Sequence, residues 1–346
     1  MEGGSRLEEA CDQRVVEGDC LRVMADMAPE SVDVVVTSPP YNLDLRYASY
    51  QDNKADADYI DWICEVGVAL SRVLKPEGSC FLNLSGSGSR PWLPFETIVR
   101  LRSVFFLQNH ITWIKSIAVG ADSAGHYKPV AGKRFLHHTH EHVFHLTKTN
   151  NVPLDRLAIG VPFKDKSNIA RRGHARDLRC RGNAWFIPYR TVRSKAQKFN
   201  HPGTFPVELP LWCLYLAGVP SPVVLDPFAG SGSTLVAAAR CGARAIGIEI
   251  DPTYVHAIRA RLAEDHAATR RIVLDASEIA CLVQRQPGVR TADGWVGGLQ
   301  DRLNKTTGQL ALTAGDLEQL RRHGNCPGDG AAWVATVFGR TLGLSL

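Results

Sequence analysis

The alternation of apolar and polar positions predicts an α/β protein. Between residues 58 and 74 apolar side chains recur at intervals of three and four, which predicts an amphipathic helix, and Lys75-Pro76-Glu77-Gly78 supplies its stop signal. Strands that alternate with helices are typical of a mostly parallel sheet. Short apolar runs predict the strands, at residues 14–17, 33–37, 80–84, 110–114, 142–146, 223–226 and 245–250. Further helices are predicted after residue 20 and at residues 209–216, 233–241 and 252–265.

The same periodicity divides the chain into four parts. It holds over residues 1–146, is lost over residues 147–205, where charge, Gly and Pro increase, and resumes over residues 206–279. We therefore predict one sheet domain in two halves that are separated by an inserted segment. Residues 280–346 contain no chemical motif and are interpreted as a helical appendage.

Positive charge is concentrated in the insert. The chain has a net charge of +5, but residues 160–200 contain eleven Lys or Arg and two Asp, a net +9, which leaves the remainder at −4. Seven of the eleven are Arg, which suits phosphate and guanine recognition, and we predict a nucleic-acid contact here rather than a solvated loop. The candidate contacts are Arg171, Arg172, Arg176, Arg179, Arg181, Arg190, Arg193, Lys195 and Lys198.

Several classes of protein are disfavoured. The longest apolar runs are too short to span a bilayer and the N-terminus is acidic, so we expect a cytoplasmic protein without a membrane partner. The nine cysteines form no CxxC pair, which argues against a zinc ribbon or a disulfide framework. A histidine run at residues 137–142 lacks the Cys or carboxylate pattern that would complete a metal site, so no metal is predicted.

The first chemical motif is Ser38-Pro39-Pro40-Tyr41, directly after a predicted strand. Two prolines stiffen the backbone and remove its donors, so that nearby carbonyl groups can act as acceptors. The Ser38 hydroxyl adds an acceptor and Tyr41 a flat ring face. These groups suit a planar base with an exocyclic amino group, although a proline-stiffened turn is the alternative.

The second motif extends from Asp226 through two glycines, Gly230 and Gly232, into a helix. Such a turn lets the backbone approach a ligand closely, and Glu249, 23 residues after Asp226, ends the next strand where it can accept from ribose hydroxyls. A nucleoside cofactor is indicated. The third glycine of the dinucleotide fingerprint is missing, which disfavours an NAD-dependent oxidoreductase.

In this order, the two motifs resemble those of the permuted β group of S-adenosylmethionine-dependent DNA amino-methyltransferases. In that family a (D/N/S)PPY motif precedes the target-recognition region and an FxGxG motif, here Phe228-Ala229-Gly230-Ser231-Gly232, follows it. The resemblance covers roughly residues 14–265. It implies a Rossmann-like methyltransferase fold with a mostly parallel twisted sheet, circularly permuted motif order and an inserted target-recognition segment over residues 147–205.

The resemblance also implies S-adenosylmethionine as the cofactor. Asp19 would contact its adenine amino group, Glu249 its ribose and Asp226 its methionine part. Phe228 would flank the adenine, and the segment with Thr204 and Phe205 would border the methionine end. The complete set of expected cofactor residues is Asp19, Thr204, Phe205, Asp226, Pro227, Phe228, Gly230, Ser231, Gly232 and Glu249.

By the same resemblance the substrate is double-stranded DNA, with a target base flipped beside Tyr41 and its amino group held by Ser38 and the Pro39 carbonyl. Serine at the first motif position is commoner with cytosine N4, so we expect N4 methylation. Adenine N6 methylation is the alternative, and a catalytically silent DNA-binding regulator is the alternative of another class. The recognition sequence, a homodimer and a cognate restriction endonuclease are left open.

Overall fold

The computed structural model describes residues 13–45, 49–125, 127, 133–167, 169, 178–188, 203–267, 270–273, 299, 303, 309–312 and 316. Seven of the nine candidate DNA contacts lie outside the described residues, namely Arg171, Arg172, Arg176, Arg190, Arg193, Lys195 and Lys198. Within the described part the chain forms an eight-stranded sheet and two two-stranded sheets.

The helices and strands follow one another much as the sequence predicts. The strands are β1 (Gln13–Glu17), β2 (Val32–Thr37), β3 (Leu74–Leu84), β4 (Phe106–Ile114), β5 (Ser116–Val119), β6 (Asp122–Gly125), β7 (His140–Thr147), β8 (Ala184–Phe186), β9 (Val223–Asp226), β10 (Arg244–Glu249), β11 (Arg270–Val273) and β12 (Gln309–Leu312). The helices are α1 (Cys20–Asp26), α2 (Asp56–Val73), α3 (Leu93–Leu101), α4 (Glu208–Ala217), α5 (Ser233–Arg240) and α6 (Pro252–Ala267).

The large sheet has the strand order β1-β10-β9-β2-β3-β7-β4-β8. All its neighbouring strands are parallel except β7, which is antiparallel to both β3 and β4. The predicted mostly parallel sheet is thereby confirmed. Strands β2 and β9 pair directly, with Val34 opposite Val224 and Val35 opposite Leu225. The two sequence motifs therefore begin at the same edge of the sheet.

The sheet separates two apolar layers, because successive side chains of a strand point to opposite faces. Val34 and Val36 of β2 lie in one layer with α4, α5 and α6, whereas Val35 lies in the other with α1, α2 and α3. Helix α2 buries the residues at three- and four-residue spacing that predicted it, including Tyr59, Ile63, Val66 and Leu70. The two layers cover both faces of the sheet and thereby fix the ends of β2 and β9, where the motifs begin.

The insert joins the sheet through β8, which runs parallel to β4 with Trp185 opposite Trp113. Both indoles are fully buried, and Trp113 Nε1 donates to the Ile187 carbonyl at 2.9 Å. Trp185 thus packs in the buried core beside the large sheet. In the described part of the chain no helix is long and apolar enough to cross a bilayer.

Two local predictions were wrong or incomplete. The strand predicted at residues 80–84 begins at Leu74, because the segment expected to be a turn runs beside β2 with an irregular register and Lys75 Nζ bonds to Asp33 Oδ1 at 2.6 Å. Helix α3, the hairpin of β5 and β6, and strands β8, β11 and β12 were not predicted.

Candidate active site

Both motifs line one cavity of about 930 Å³ at the carboxyl ends of β2, β9 and β10. Two of the predicted residues, Asp226 and Gly232, lie behind its wall instead of lining it. The predicted residues that do line it are Asp19, Ser38, Pro39, Pro40, Tyr41, Thr204, Phe205, Pro227, Phe228, Gly230, Ser231 and Glu249. One cavity therefore contains the predicted base pocket and the predicted cofactor turn.

A buried hydrogen bond joins the two motifs. Thr37 Oγ1 donates to Asp226 Oδ1 at 2.7 Å, and the Phe228 amide donates to the same oxygen at 3.1 Å. The second oxygen, Oδ2, is buried and has no hydrogen-bond partner among the described residues. Burial raises the pKa of Asp226 to about 6, although hydrogen bonding to the carboxylate opposes the shift. A cationic ligand group near this carboxylate would favour its ionised form.

The glycine turn is held by Glu249 at the end of β10. Its Oε2 accepts from the Gly230 amide at 2.8 Å and its Oε1 from the Asp251 amide at 3.0 Å. Gly232 has φ +78°, and a Cβ there would lie 2.9 Å from Ile258 Cγ2, so this position requires glycine. Burial raises the pKa of the Glu249 carboxyl, partly offset by these amide hydrogen bonds. The turn is therefore rigid and brings backbone to the cavity wall.

An aromatic cluster borders the cofactor side of the cavity. The Trp62 ring lies 5.6 Å from that of Phe228 and 5.4 Å from that of Tyr50, measured between centroids. Nearby, Asp19 Oδ1 caps α1 by accepting from the Leu21 and Arg22 amides. Aromatic faces beside a carboxylate suit a purine with an amino group. Neither Tyr50 nor Trp62 was predicted from the sequence, and Trp62 falls within the apolar spacing of a core helix.

On the opposite side, Ser38 and Tyr41 belong to a hydrogen-bonded group that includes residues from β3 and β7. The Ser38 and Tyr41 hydroxyls are 2.6 Å apart, and Tyr41 lies 3.0 Å from Glu141 Oε2. Asn83 Nδ2 donates to the Tyr41 hydroxyl at 2.6 Å and to Glu141 Oε2 at 2.8 Å. Lys115 Nζ forms a salt bridge with Glu141 Oε1 at 2.9 Å. Neither Asn83 nor Glu141 was predicted.

This group determines the direction of its hydrogen bonds. Burial and the charge of Glu141 raise the pKa of Tyr41 well above its usual value, so the phenol keeps its proton. A carboxylate only accepts, and therefore Tyr41 donates to Glu141. Ser38 must then donate to Tyr41, and its oxygen, which Asn83 Nδ2 approaches at 3.5 Å, keeps acceptor capacity in the cavity. Glu141 thereby sets the direction of the hydrogen bond between Tyr41 and Ser38.

Two of the predicted DNA contacts, Arg179 and Arg181, lie among the described residues, and their surroundings differ. Arg179 is exposed. Arg181 Nε donates to the Ile159 carbonyl at 2.8 Å and its guanidinium stacks over Trp212 at 4.2 Å, so this side chain is held against α4.

In the histidine run, His142 pairs with His110, and no group of described residues is arranged to hold a metal ion.

A family model for DNA methylases matches residues 32–260, which is more than half of the chain. The chain belongs to the N6/N4 DNA methylase family. Among curated relatives of this DNA methylase, the DNA adenine methyltransferase YhdJ of Escherichia coli strain K12 is 28% identical over 250 residues, 70% of this chain and 79% of the relative. The type II methyltransferase M.BglII of Bacillus subtilis is 28% identical over 257 residues, 70% of this chain and 66% of the relative.

Among solved structures, the cytosine-N4-specific PvuII DNA methyltransferase superposes with a TM-score of 0.56 and 23% identity, over 73% of this chain and 86% of that one. This similarity confirms the methyltransferase fold. The chain is thus similar both to a protein named as a DNA adenine methyltransferase and to one named as a cytosine-N4-specific DNA methyltransferase.

Replacing Asp226 with Asn is expected to stabilise the fold above pH 6. The folded pKa of about 6 exceeds the ordinary value of 3.8, so the stability associated with the protonated carboxyl is complete below pH 3.8 and is lost as the pH rises through 6. The loss is on the order of 3 kcal/mol. Because Asn is neutral throughout, Asp226→Asn should raise the Tm at pH 8 and change it little near pH 3.5. Equal shifts at the two pH values in thermal denaturation would contradict this.

Replacing Glu141 with Gln is expected to slow methyl transfer to DNA while the fold persists. The amide of the introduced glutamine can donate to the Tyr41 hydroxyl. Tyr41 would then donate to Ser38, and Ser38 would lose its role as an acceptor. A hydrogen bond to a charged group contributes about 1.5–3 kcal/mol, which corresponds to a decrease in kcat of about tenfold to hundredfold. The KM for DNA should change little.

Steady-state kinetics and thermal melting check this prediction. The matched control is Glu30→Gln, which removes a carboxylate that also pairs with a lysine, Lys148, but lies far more exposed, with 54% of its side-chain area accessible. Equal kinetics for both variants and the unmodified enzyme would show that Glu141 has no positioning role.

Proposed function

We propose that this DNA methylase transfers a methyl group from S-adenosylmethionine to the exocyclic N4 of cytosine in duplex DNA. The observation that carries the proposal is the single cavity in which an oriented Ser38 acceptor faces a glycine turn built for a nucleoside. The chain order of the SPPY and FxGxG motifs supports membership of the permuted β group. The target base would be flipped out of the duplex to reach the cavity.

The cofactor side of the cavity fits S-adenosylmethionine. The unpartnered Oδ2 of Asp226 provides negative charge near the turn, and the Phe228 and Trp62 rings provide apolar faces for adenine. Asp19 would accept from the adenine amino group and Glu249 from the ribose hydroxyls, with Thr204 and Phe205 beside the methionine part. When bound, S-adenosylmethionine supplies an electrophilic methyl group on a positively charged sulfur.

The base side needs no covalent intermediate. Ser38 Oγ and the Pro39 carbonyl would accept the two amino hydrogens of the base, which directs the nitrogen lone pair out of the base plane toward the methyl donor. Tyr41 and Glu141 keep Ser38 in its acceptor state. Rate then comes from orientation and exclusion of water, and the amino proton can leave after the transfer.

The basic segment at residues 160–200 would contact the phosphate backbone. Phosphate contacts by Lys and Arg position a protein on DNA and make its affinity depend strongly on salt. Arg179 is exposed for such a contact, as the proposal requires. Arg181 would contribute less, because its guanidinium is already engaged by Ile159 and Trp212.

Adenine N6 is the second candidate for the methylated atom. The specific observation in its favour is the similarity to YhdJ, a protein named as a DNA adenine methyltransferase. Cytosine N4 is preferred because the first motif position is Ser38, whose hydroxyl is a neutral acceptor, whereas Asp or Asn is commoner with adenine in the family that the motifs resemble.

The Phe228→Ala variant is expected to bind S-adenosylmethionine about tenfold more weakly, because aromatic contacts contribute about 0.5–1.5 kcal/mol beyond burial. Isothermal titration calorimetry measures the Kd. The control is Phe106→Ala, which removes a half-exposed ring at the far end of β4. The cofactor assignment fails if the unmodified protein shows no binding, and the stacking role fails if Phe228→Ala binds as tightly as the control.

DNA from cells that express the protein is expected to contain N4-methylcytosine, identified by mass spectrometry of its nucleosides. The Ser38→Ala variant should lower the level by about a hundredfold, the typical effect of losing one positioned hydrogen-bonding group. Ser103→Ala, which removes an exposed hydroxyl on the turn after α3, serves as the control. N6-methyladenine would reverse the base assignment, and unmodified DNA would refute the enzyme activity.

A further inference from the structure

A short segment at residues 133–138 borders the cavity and contains two exposed large apolar side chains, Phe135 and Leu136. Leu136 is 90% exposed, more than any other large apolar residue among the described ones. Exposing a leucine this completely forgoes the burial that usually stabilises it. Single exposed apolar residues are common on protein surfaces, so the position of this one determines whether it has a function.

The residues on either side of Leu136 border the cavity. His137 and His138 line it directly. Phe135 packs against Gly88, another lining residue, where an added Cβ would lie 2.6 Å from the Phe135 ring. Glu141, which accepts from Tyr41, lines the same cavity, so Leu136 lies next in sequence to residues that border the proposed base side.

Contacts on both flanks hold this projection in place. The Arg134 guanidinium lies 4.8 Å over the Phe135 ring, and the Tyr127 ring lies 5.6 Å from that of His137. Further along, the Lys115 amide donates to the Thr139 carbonyl at 2.7 Å. With Phe135 and His137 engaged on either side, Leu136 is exposed to solvent, and constraints of this kind lower the ordering cost when a partner binds.

The charge around Leu136 indicates the partner. Lys133 and Arg134 precede it and are exposed, whereas the carboxylate of Glu141 is half-buried and paired with Lys115. A basic rim with one apolar projection is poorly suited to an apolar protein surface, but it matches a phosphate backbone with stacked bases between the strands.

We propose that Leu136 is a wedge that enters the DNA base stack when the target base flips into the cavity, with Lys133 and Arg134 on the adjacent phosphates. Leucine is among the residues that proteins insert between base steps. By contacting the bases next to the vacated position, it stabilises the flipped state relative to the paired duplex. This inference rests on the proposed function, because it assumes a target base in duplex DNA.

The test compares two DNA substrates. The recognition sequence is first read from the methylated DNA of expressing cells, and duplexes are made with the target base either correctly paired or opposite an abasic site, which lowers the cost of flipping. Leu136→Ala should slow single-turnover methylation of the paired duplex about tenfold, equivalent to about 1.4 kcal/mol, and should approach the rate of the unmodified enzyme on the abasic duplex. Leu136→Met, which retains an apolar wedge, should be nearly unaffected on both.

The control is Leu107→Ala, a second leucine in the exposed class, near the start of β4 and away from the cavity. Equal slowing of Leu136→Ala on both duplexes, or none on either, overturns the wedge while the methyltransferase activity stands. A failure of the unmodified enzyme to methylate any DNA overturns the proposed function and the wedge together.

Discussion

The hydrogen bond between Thr37 and Asp226 is the contact on which the site depends. It joins residues that are 189 positions apart in the chain and at the ends of neighbouring parallel strands. Side chains at the carboxyl ends of parallel strands meet at one edge of the sheet. The pairing of β2 with β9 therefore places the SPPY turn beside the glycine turn. The hydrogen bond holds together the strand ends from which the two turns begin.

The site is built from groups whose burial has a cost. Asp226 retains an unpartnered oxygen among the described residues, and its raised pKa reflects the lost solvation. Tyr41 is kept neutral by the same burial and by Glu141. A charged carboxylate beside a neutral phenol gives the hydrogen-bond chain one direction. Buried ionisable groups with raised pKa values are typical of functional sites, where stability is given up for an oriented group.

The antiparallel direction of strand β7 brings Glu141 to the site. Its partners run in the opposite direction, so its first residues lie at the carboxyl ends of the parallel strands, and Val143 pairs with Asn83. Glu141, near the start of β7, consequently lies beside Tyr41 and accepts its hydroxyl hydrogen. A search for polar residues at strand carboxyl ends finds Ser38, Asp226 and Glu249, but it cannot find a glutamate at the beginning of a strand.

The sequence by itself determined most strands and helices of the large sheet, the two motifs and the mostly parallel pairing, because apolar periodicity and turn residues act locally. It identified Ser38, Tyr41 and the glycine turn, whose chemistry is contained in a few consecutive residues. Only the tertiary structure decided which residues surround them. Asn83, Glu141 and Trp62 come from separate elements, and their roles depend on strand direction and helix packing, which are set by the burial of whole faces. Leu136 likewise stands out only because its neighbours are held at the cavity rim.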